Sequence, residues 1–213
     1  MSNKDFQNGF AVGMASKGQA QVSVPNPLEC VKILNSAYMS TTFPENYEMT
    51  INIPLIISMN ACFQGATGIT KLTIKGNVAG NVIGMTGAFR VPTLEILDLS
   101  EFNAIASADG KHIFNGAKVL REIKGTLDFT NVTQCEGAFN ICYELEEIRF
   151  KENSIGVSIS FANSSKLSAE TIQSIIDGLV TVETAQTLTL NSAIVLTDEQ
   201  KATIEAKGWT LVQ

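Results

Sequence analysis

Apolar side chains recur along this chain with two periods, one nested inside the other. The short period is the alternation of a strand. It is clearest in LEILDLS, Leu94–Ser100, where Leu97 and Leu99 alternate with Ile96, Asp98 and Ser100. The long period is carried by phenylalanines. Phe63, Phe89, Phe114, Phe139 and Phe161 follow one another at intervals of 26, 25, 25 and 22 residues. Each is trailed by its own apolar set. Phe63 leads to Ile69, Leu72 and Ile74, and Phe89 to Leu94, Leu97 and Leu99. Phe114 leads to Leu120 and Ile123, Phe139 to Leu145, Ile148 and Phe150, and Phe161 to Leu167, where the pattern stops.

A second phrase lies between these anchors. Asn81-Val82-Ile83-Gly84-Met85 runs into Ala88-Phe89, and Asn131-Val132-Thr133-Gln134-Cys135 runs into Ala138-Phe139. Ile56-Ile57-Ser58-Met59, running into Cys62-Phe63, is a weaker copy. Self-similarity at a period of about 25 residues marks stacked repeats, each completing the core of its neighbour. The expected fold is mainly β, a solenoid over residues 61–167.

The flanks read as caps. Residues 1–20 form a lead-in. Phe6, Phe10 and Met14 suit one helical face and Gly9 and Gly13 weaken it, so the segment is either a loosely ordered terminus or a short docking helix. Residues 21–60 are expected to form an N-terminal cap with a divergent first repeat. There Gln21–Val24 alternates as a strand before Pro25 and Pro27, and Leu28, Val31, Ile33 and Leu34 make an apolar cluster.

Residues 168–213 are expected to form a small α+β C-terminal cap, because a stack of repeats exposes core at its ends. Ser168 is a fair N-cap, with Leu167 and Ile172 as a hydrophobic staple, and Ile172, Ile175, Ile176 and Leu179 share a helical face. Thr187–Leu190 alternates as a strand. Thr197 and Gln200 make a capping box for a second helix, which Gly208 stops with Trp209 folded back over Ile204. Trp209–Val212 is the last strand.

LEILDLSEF and DFTNVTQCEGAF resemble the BspA-like leucine-rich repeats of bacterial surface proteins. That family alternates an L-x-x-L-x-L strand with an F-x-x-x-N-V-T-x-M phrase and an aromatic-Gly-Cys/Ala corner. The resemblance covers roughly Ile51 to Leu167 and implies right-handed leucine-rich-repeat coils. The closing segment is similar to the tail that follows such repeats in proteins of gut Firmicutes and their prophages. It implies a binding protein of a cell surface or a virion, with an adhesin as the alternative; such analogy speaks to setting rather than to a site.

Composition narrows the function classes. The chain has 213 residues, 45% hydrophobic and 17% charged, which suits a folded domain. A net charge of −6 argues against a nucleic-acid partner, which needs a basic footprint. No apolar run approaches the roughly 18 residues of a membrane span, so membrane insertion is not expected. Nor does a basic segment precede a long apolar core near the N-terminus, so no secretory signal is expected.

Candidate chemistry is sparse. Three of the four cysteines take repeat positions filled elsewhere by small or soft apolar residues: Cys62 matches Ala88 and Ala138, Cys135 matches Met59 and Met85, and Cys142 matches Ala66 and Ala117. With Cys30 they are expected to be buried, free thiols. No paired C-x-x-C or Cys/His spacing suggests zinc. The sole histidine, His112, has no acid or cysteine at a telling distance. Gly76, Gly80 and Gly84 recur without a phosphate-loop Lys-Ser/Thr and read as turns. Asp98, Glu101 and Asp109 do not make a calcium loop. Asn131-Val132-Thr133 and Asn163-Ser164-Ser165 fit the glycosylation sequon, the first being simply the repeat phrase.

No cofactor, metal or catalytic residue is therefore expected, and an enzyme remains only the minor alternative to a protein- or glycan-binding module. Its expected face is the set of side chains alternating with the inward leucines. Lys71, Ile96, Glu122 and Glu147 form one outward row, Thr73, Asp98, Lys124 and Arg149 the next, and Lys75, Ser100, Thr126 and Lys151 the third. Lys124, Arg149 and Lys151 should make one side of this face basic.

Overall fold

The computed structural model describes residues 31–213. The expected lead-in, the Gln21–Val24 strand, Leu28 and Cys30 lie outside the described residues. Among those described, the protein is mainly β, with short parallel sheets and two short C-terminal helices. The strands are β1 (Thr42–Asn52), β2 (Thr67–Gly76), β3 (Val82–Ile83), β4 (Ile96–Phe102), β5 (Ala104–Ala106), β6 (Glu122–Lys124), β7 (Leu127–Asp128), β8 (Ile159–Phe161), β9 (Gln186–Leu190) and β10 (Trp209–Val212). The helices are α1 (Ala169–Gly178) and α2 (Asp198–Ala206).

The sheets run β1-β2-β4-β6, β3-β5-β7 and β8-β9-β10. Every pairing in them is parallel. Partner residues lie 22 to 29 positions apart, so each strand sits beside its counterpart one repeat away. Isolated bridges Glu122↔Glu147 and Leu127↔Phe150 carry the pairing one repeat beyond β6 and β7.

Parallel strands lie about 4.8 Å apart, so equivalent side chains of successive repeats stack. The rings do so as one column. Centroid separations are 6.4 Å for Phe63–Phe89, 5.6 Å for Phe89–Phe114, 5.2 Å for Phe114–Phe139 and 4.6 Å for Phe139–Phe161, with near-parallel planes. Tyr38 begins the column one repeat earlier, 4.9 Å from Phe63. Alternation in β2 and β4 turns Leu72, Ile74, Leu97 and Leu99 inward, and one apolar cluster runs from Leu34 to Trp209. Ile33 departs from the expected apolar cluster. Its bridge to Ser58 turns the side chain outward, leaving it 60% exposed, while Leu34 beside it is buried.

The corner carrying the rings has a fixed backbone signature. Ser36, Ala61, Gly87, His112 and Gly137 occupy one repeat position, and all have positive φ, between 52° and 62°. Glycine adopts this region freely, whereas Ser36, Ala61 and His112 do so at a cost of order 1 kcal/mol each. Corner N–H groups donate in one sense only, from each repeat to the next. Ser36 donates to Asn60, Ala61 to Thr86, Gly87 to Lys111 and His112 to Glu136, at 2.8–3.1 Å. Asn77, fully buried, ties a second bend. Its side chain accepts from the Asn81 N–H at 2.8 Å and donates to the Asn103 carbonyl, and Asn103 Nδ2 donates to the Asn77 carbonyl at 2.9 Å.

The C-terminal residues close the far end. Ser168 caps α1 by accepting from the Thr171 N–H. Two hydroxyls of α1 then meet the last repeat: Thr171 Oγ1 accepts from the Ile148 N–H at 3.1 Å, and Ser174 Oγ from the Phe150 N–H at 2.9 Å. An open strand edge is thereby satisfied by side chains rather than by another strand. Ile172, Ile175 and Ile176 face the core. Thr197 and Gln200 make the expected capping box on α2. Gly208, at φ 83°, ends it, and Trp209 is buried with Nε1 donating to the Val180 carbonyl at 2.8 Å. Lys207 Nζ reaches back to the α1 terminus, donating to the carbonyls of Ile176 at 2.9 Å and Leu179 at 2.7 Å. A cation there complements the helix dipole.

Candidate interaction face

Strand alternation in β2, β4 and β6 turns Lys71, Thr73, Lys75, Ile96, Asp98, Glu122 and Lys124 outward. The first row is in register: Lys71 pairs with Ile96, Ile96 with Glu122, and Glu122 with Glu147. Glu48 of β1 extends it, opposite Lys71. In the second row Thr73 pairs with Asp98 and Asp98 with Lys124, and Arg149 follows two residues after Glu147.

The third row does not form as predicted. Between Thr73 and Lys75 the ladder slips, so Lys75 pairs with Glu101 instead of Ser100. At the other end Leu127 meets Phe150, which shortens the repeat to 23 residues and sets Lys151 beside Asp128 instead of Thr126. Ser100 and Thr126 remain exposed on the surface. A one-residue slip reassigns every later neighbour, and nothing in the spacing of the leucines reports it.

Two of the three cations of the expected basic side are paired with acids. Lys151 Nζ lies 2.7 Å from Asp128 Oδ2, and Lys124 Nζ lies 3.7 Å from Glu122. Lys75 pairs with Glu101, and Lys71 with Glu48 at 3.8 Å. Solvent-exposed pairs of this kind contribute about 0–1 kcal/mol each, so they organise the face more than they hold the fold. Partial burial pushes the Asp98 carboxyl up, but hydrogen bonds from Ser100 and the charges of Lys124 and Lys71 outweigh it and hold the group below its ordinary value. Asp128 behaves alike, burial being outweighed by Lys151 and Thr130.

A concavity lies in the face. A cleft of about 320 Å³ is lined by Ser100, Glu122, Lys124, Gly125, Glu147 and Arg149, with the backbone of Ile123 and Ile148 between them. Gly125 is part of this lining. Its φ is 89°, and a Cβ there would lie 2.6 Å from the Leu99 carbonyl oxygen, so glycine is what lets its backbone pack this close to the preceding repeat. Arg149 is exposed and has no ion-pair partner among the described residues. Glu147 accepts from Thr171 Oγ1 at 3.4 Å. Sequence reasoning missed Glu48, Glu101, Asp128 and Thr171 as contributors; their acidic or hydroxyl character was visible, but not the register that brings them in.

The other chemically interesting residues lie elsewhere. His112 is half-buried at the ring corner, its Nδ1 3.1 Å from Asn115 Nδ2. Cys62, Cys135 and Cys142 are buried and free. Cys142 Sγ donates to the Phe114 carbonyl at 3.2 Å and Cys135 Sγ to that of Ser158 at 3.0 Å. Burial pushes the thiols of Cys135 and Cys142 up to about 12, and that of Cys62 in the same direction. Raised folded-state values mean that these thiols favour folding fully below the unfolded value near 8.5. That contribution is lost as pH rises toward the folded values, at about 1.4 kcal/mol per pH unit for each thiol. Urea midpoints should therefore fall steeply between pH 9 and pH 10. A variant with Cys62, Cys135 and Cys142 all replaced by Ala should start less stable but show a flatter decline; an equal decline would refute the assignment.

Among the described residues no helix is long and apolar enough to cross a membrane. Comparison of the chain with protein-family models, with curated proteins and with solved structures gave no match.

Proposed function

We propose that this protein is a non-catalytic interaction module: a leucine-rich-repeat solenoid of BspA-like type that presents its open sheet to a protein or glycan partner. The observation carrying this reading is the outward face of β2, β4 and β6, where in-register rows of charged and polar side chains stand over a fully buried apolar layer. Stacked repeats characteristically recognise partners through such extended surfaces. The parallel pairing of each strand with its counterpart one repeat away supports the solenoid reading. The residues that would have to act as nucleophile or base support the non-catalytic one. The three described cysteines are buried with thiols pushed up, and His112 faces an asparagine. The resemblance in LEILDLSEF and DFTNVTQCEGAF adds the setting, a protein borne on a cell surface or a virion.

A screen of the labelled chain against glycans and host-cell surface proteins tests the reading. A double variant, Lys124→Glu with Arg149→Glu, should lose the captured partner with an unchanged thermal melt. The Arg149 side chain is exposed and that of Lys124 is 40% exposed, so the fold does not depend on them. A partner that the double variant binds normally would place the site off this face.

A further inference from the structure

The cleft around Gly125 is not simply charged; its charges are sorted. Glu122 and Glu147 are bridge partners, so their carboxylates start from strands about 4.8 Å apart. Lys124 follows two residues after Glu122 in β6, and Arg149 two residues after Glu147, in a segment bridged to the preceding repeat at Glu147 and Phe150. Two residues of strand advance about 6.6 Å, so in β6 an acidic and a basic side chain stand at that separation, and Glu147 and Arg149 bring a second acid and a second base to the same cleft. All four line the one cleft, together with Gly125 and Ser100.

A purely acidic ligand would meet Glu122 and Glu147 as well as the two cations. A purely basic one would meet Lys124 and Arg149. The arrangement is complementary to a ligand that carries one charge of each sign at the Glu122–Lys124 spacing. An extended peptide laid along the strands has that geometry, since its alternate side chains project to the same side at the same interval of about 6.6 Å. The sole ion pair across the two rows, Lys124–Glu122 at 3.7 Å, is half-exposed and weak, so a ligand can replace it at small cost.

We propose that the cleft formed by Ser100, Glu122, Lys124, Gly125, Glu147 and Arg149 binds an extended peptide segment of a protein partner, carrying a basic and an acidic side chain two residues apart. The basic side chain sits over Glu122 and Glu147, and the acidic one over Lys124 and Arg149. This inference rests on the reading of the sheet as a binding face, and it selects peptide over glycan for this part of it. No aromatic side chain lines the cleft to stack on a sugar.

The test uses the full chain and four capped peptides, each an extended Gly- and Thr-flanked segment with Lys-Thr-Glu, Glu-Thr-Lys, Lys-Thr-Lys or Glu-Thr-Glu at its centre. Binding is followed by amide chemical shifts at low ionic strength. One of the two mixed orders should bind about fivefold or more tighter than either like-charged peptide, with shifts centred on residues 122–125 and 147–149, and should weaken with salt. Exchanging the rows, with Glu122→Lys, Lys124→Glu, Glu147→Arg and Arg149→Glu together, keeps the net charge and should reverse the preferred order. A second variant, Glu147→Gln alone, should lower affinity without changing the order, which keeps the test decisive if the exchanged variant fails to fold. No preference for a mixed peptide, or no shifts at the cleft at millimolar peptide, overturns the proposal. If Glu-Thr-Glu alone binds, and Lys124→Glu with Arg149→Glu abolishes it, the face is still a binding surface and only the mixed-charge ligand is wrong. A partner captured in the surface screen and lost in that double variant, with all four peptides inert, likewise preserves the broader function and discards this ligand.

Discussion

Phe139→Ala is expected to destabilise the protein by roughly 3–5 kcal/mol, the range for deleting a buried ring. Phe139 is 1% exposed and touches more rings than any other member of the column. It stacks on Phe114 at 5.2 Å and Phe161 at 4.6 Å, and meets the edge of Phe150 at 6.1 Å. Its loss leaves a cavity between two repeats whose separation is fixed by backbone pairing on either side, so the gap cannot close by simple approach. Paired aromatics add about 0.5–1.5 kcal/mol each beyond their buried area, which pushes the cost toward the upper end. Phe139→Leu, which keeps most of the volume, should cost clearly less. Thermal and urea melts measure both. A Phe139→Ala melt within a degree or two of the parent would show that the rings do not share this column.

Removing residues 168–213 should have a larger effect still, because it uncovers the end of the core. The deletion takes away Thr171 and Ser174, leaving the N–H groups of Ile148 and Phe150 without their hydroxyl acceptors. It takes away β9, the parallel neighbour of β8, and with it the side chains packed over Phe161 and Ile159. An orphaned buried donor costs about 1–3 kcal/mol, and an open strand edge over exposed apolar surface is a template for aggregation. The chain ending at Leu167 should therefore precipitate or form large soluble aggregates in size-exclusion chromatography. The segment 168–213 by itself should show no cooperative thermal transition, since its strands and helices are too few to enclose a core. A monomeric, cooperatively melting truncation would contradict the role given to these residues.

The contrast between what the chain spells out and what it conceals follows from how each feature is encoded. The ring column is legible because one residue type returns at a nearly constant interval. Its first member is concealed because Tyr38 stands where the later repeats carry phenylalanine. The C-terminal helices are legible because Ser168, Thr197, Gln200 and Gly208 carry local hydrogen-bond chemistry that needs no tertiary context. The long strand β1 was obscured by Pro44, Glu45 and Asn46, around which its register to β2 shifts. The first two rows of the outward face were readable by counting from the leucines. The third was not, since a bulge after Thr73 and a shortened last repeat move Lys75 and Lys151 onto acidic neighbours. Buried Asn77 gave no hydrophobic signal; its role depends on Asn81 and Asn103, the latter a full repeat away.

The one-way donation of corner N–H groups, each repeat to its successor, has a consequence for how the chain is made. A ribosome delivers the donors of a repeat before the carbonyls that will receive them. At every stage of synthesis the newest finished layer therefore ends in unsatisfied N–H groups, and the next layer to emerge satisfies them. Because partners lie only some 25 residues apart, each addition is a short-range event, and the nascent protein can lengthen in the order in which it is translated. Only when Thr171 and Ser174 leave the exit tunnel do the Ile148 and Phe150 donors on the sheet side find acceptors that belong to a helix instead of another layer. Those two hydroxyls end the β1-β2-β4-β6 side of the assembly, while β9 and β10 go on to add parallel strands beside β8.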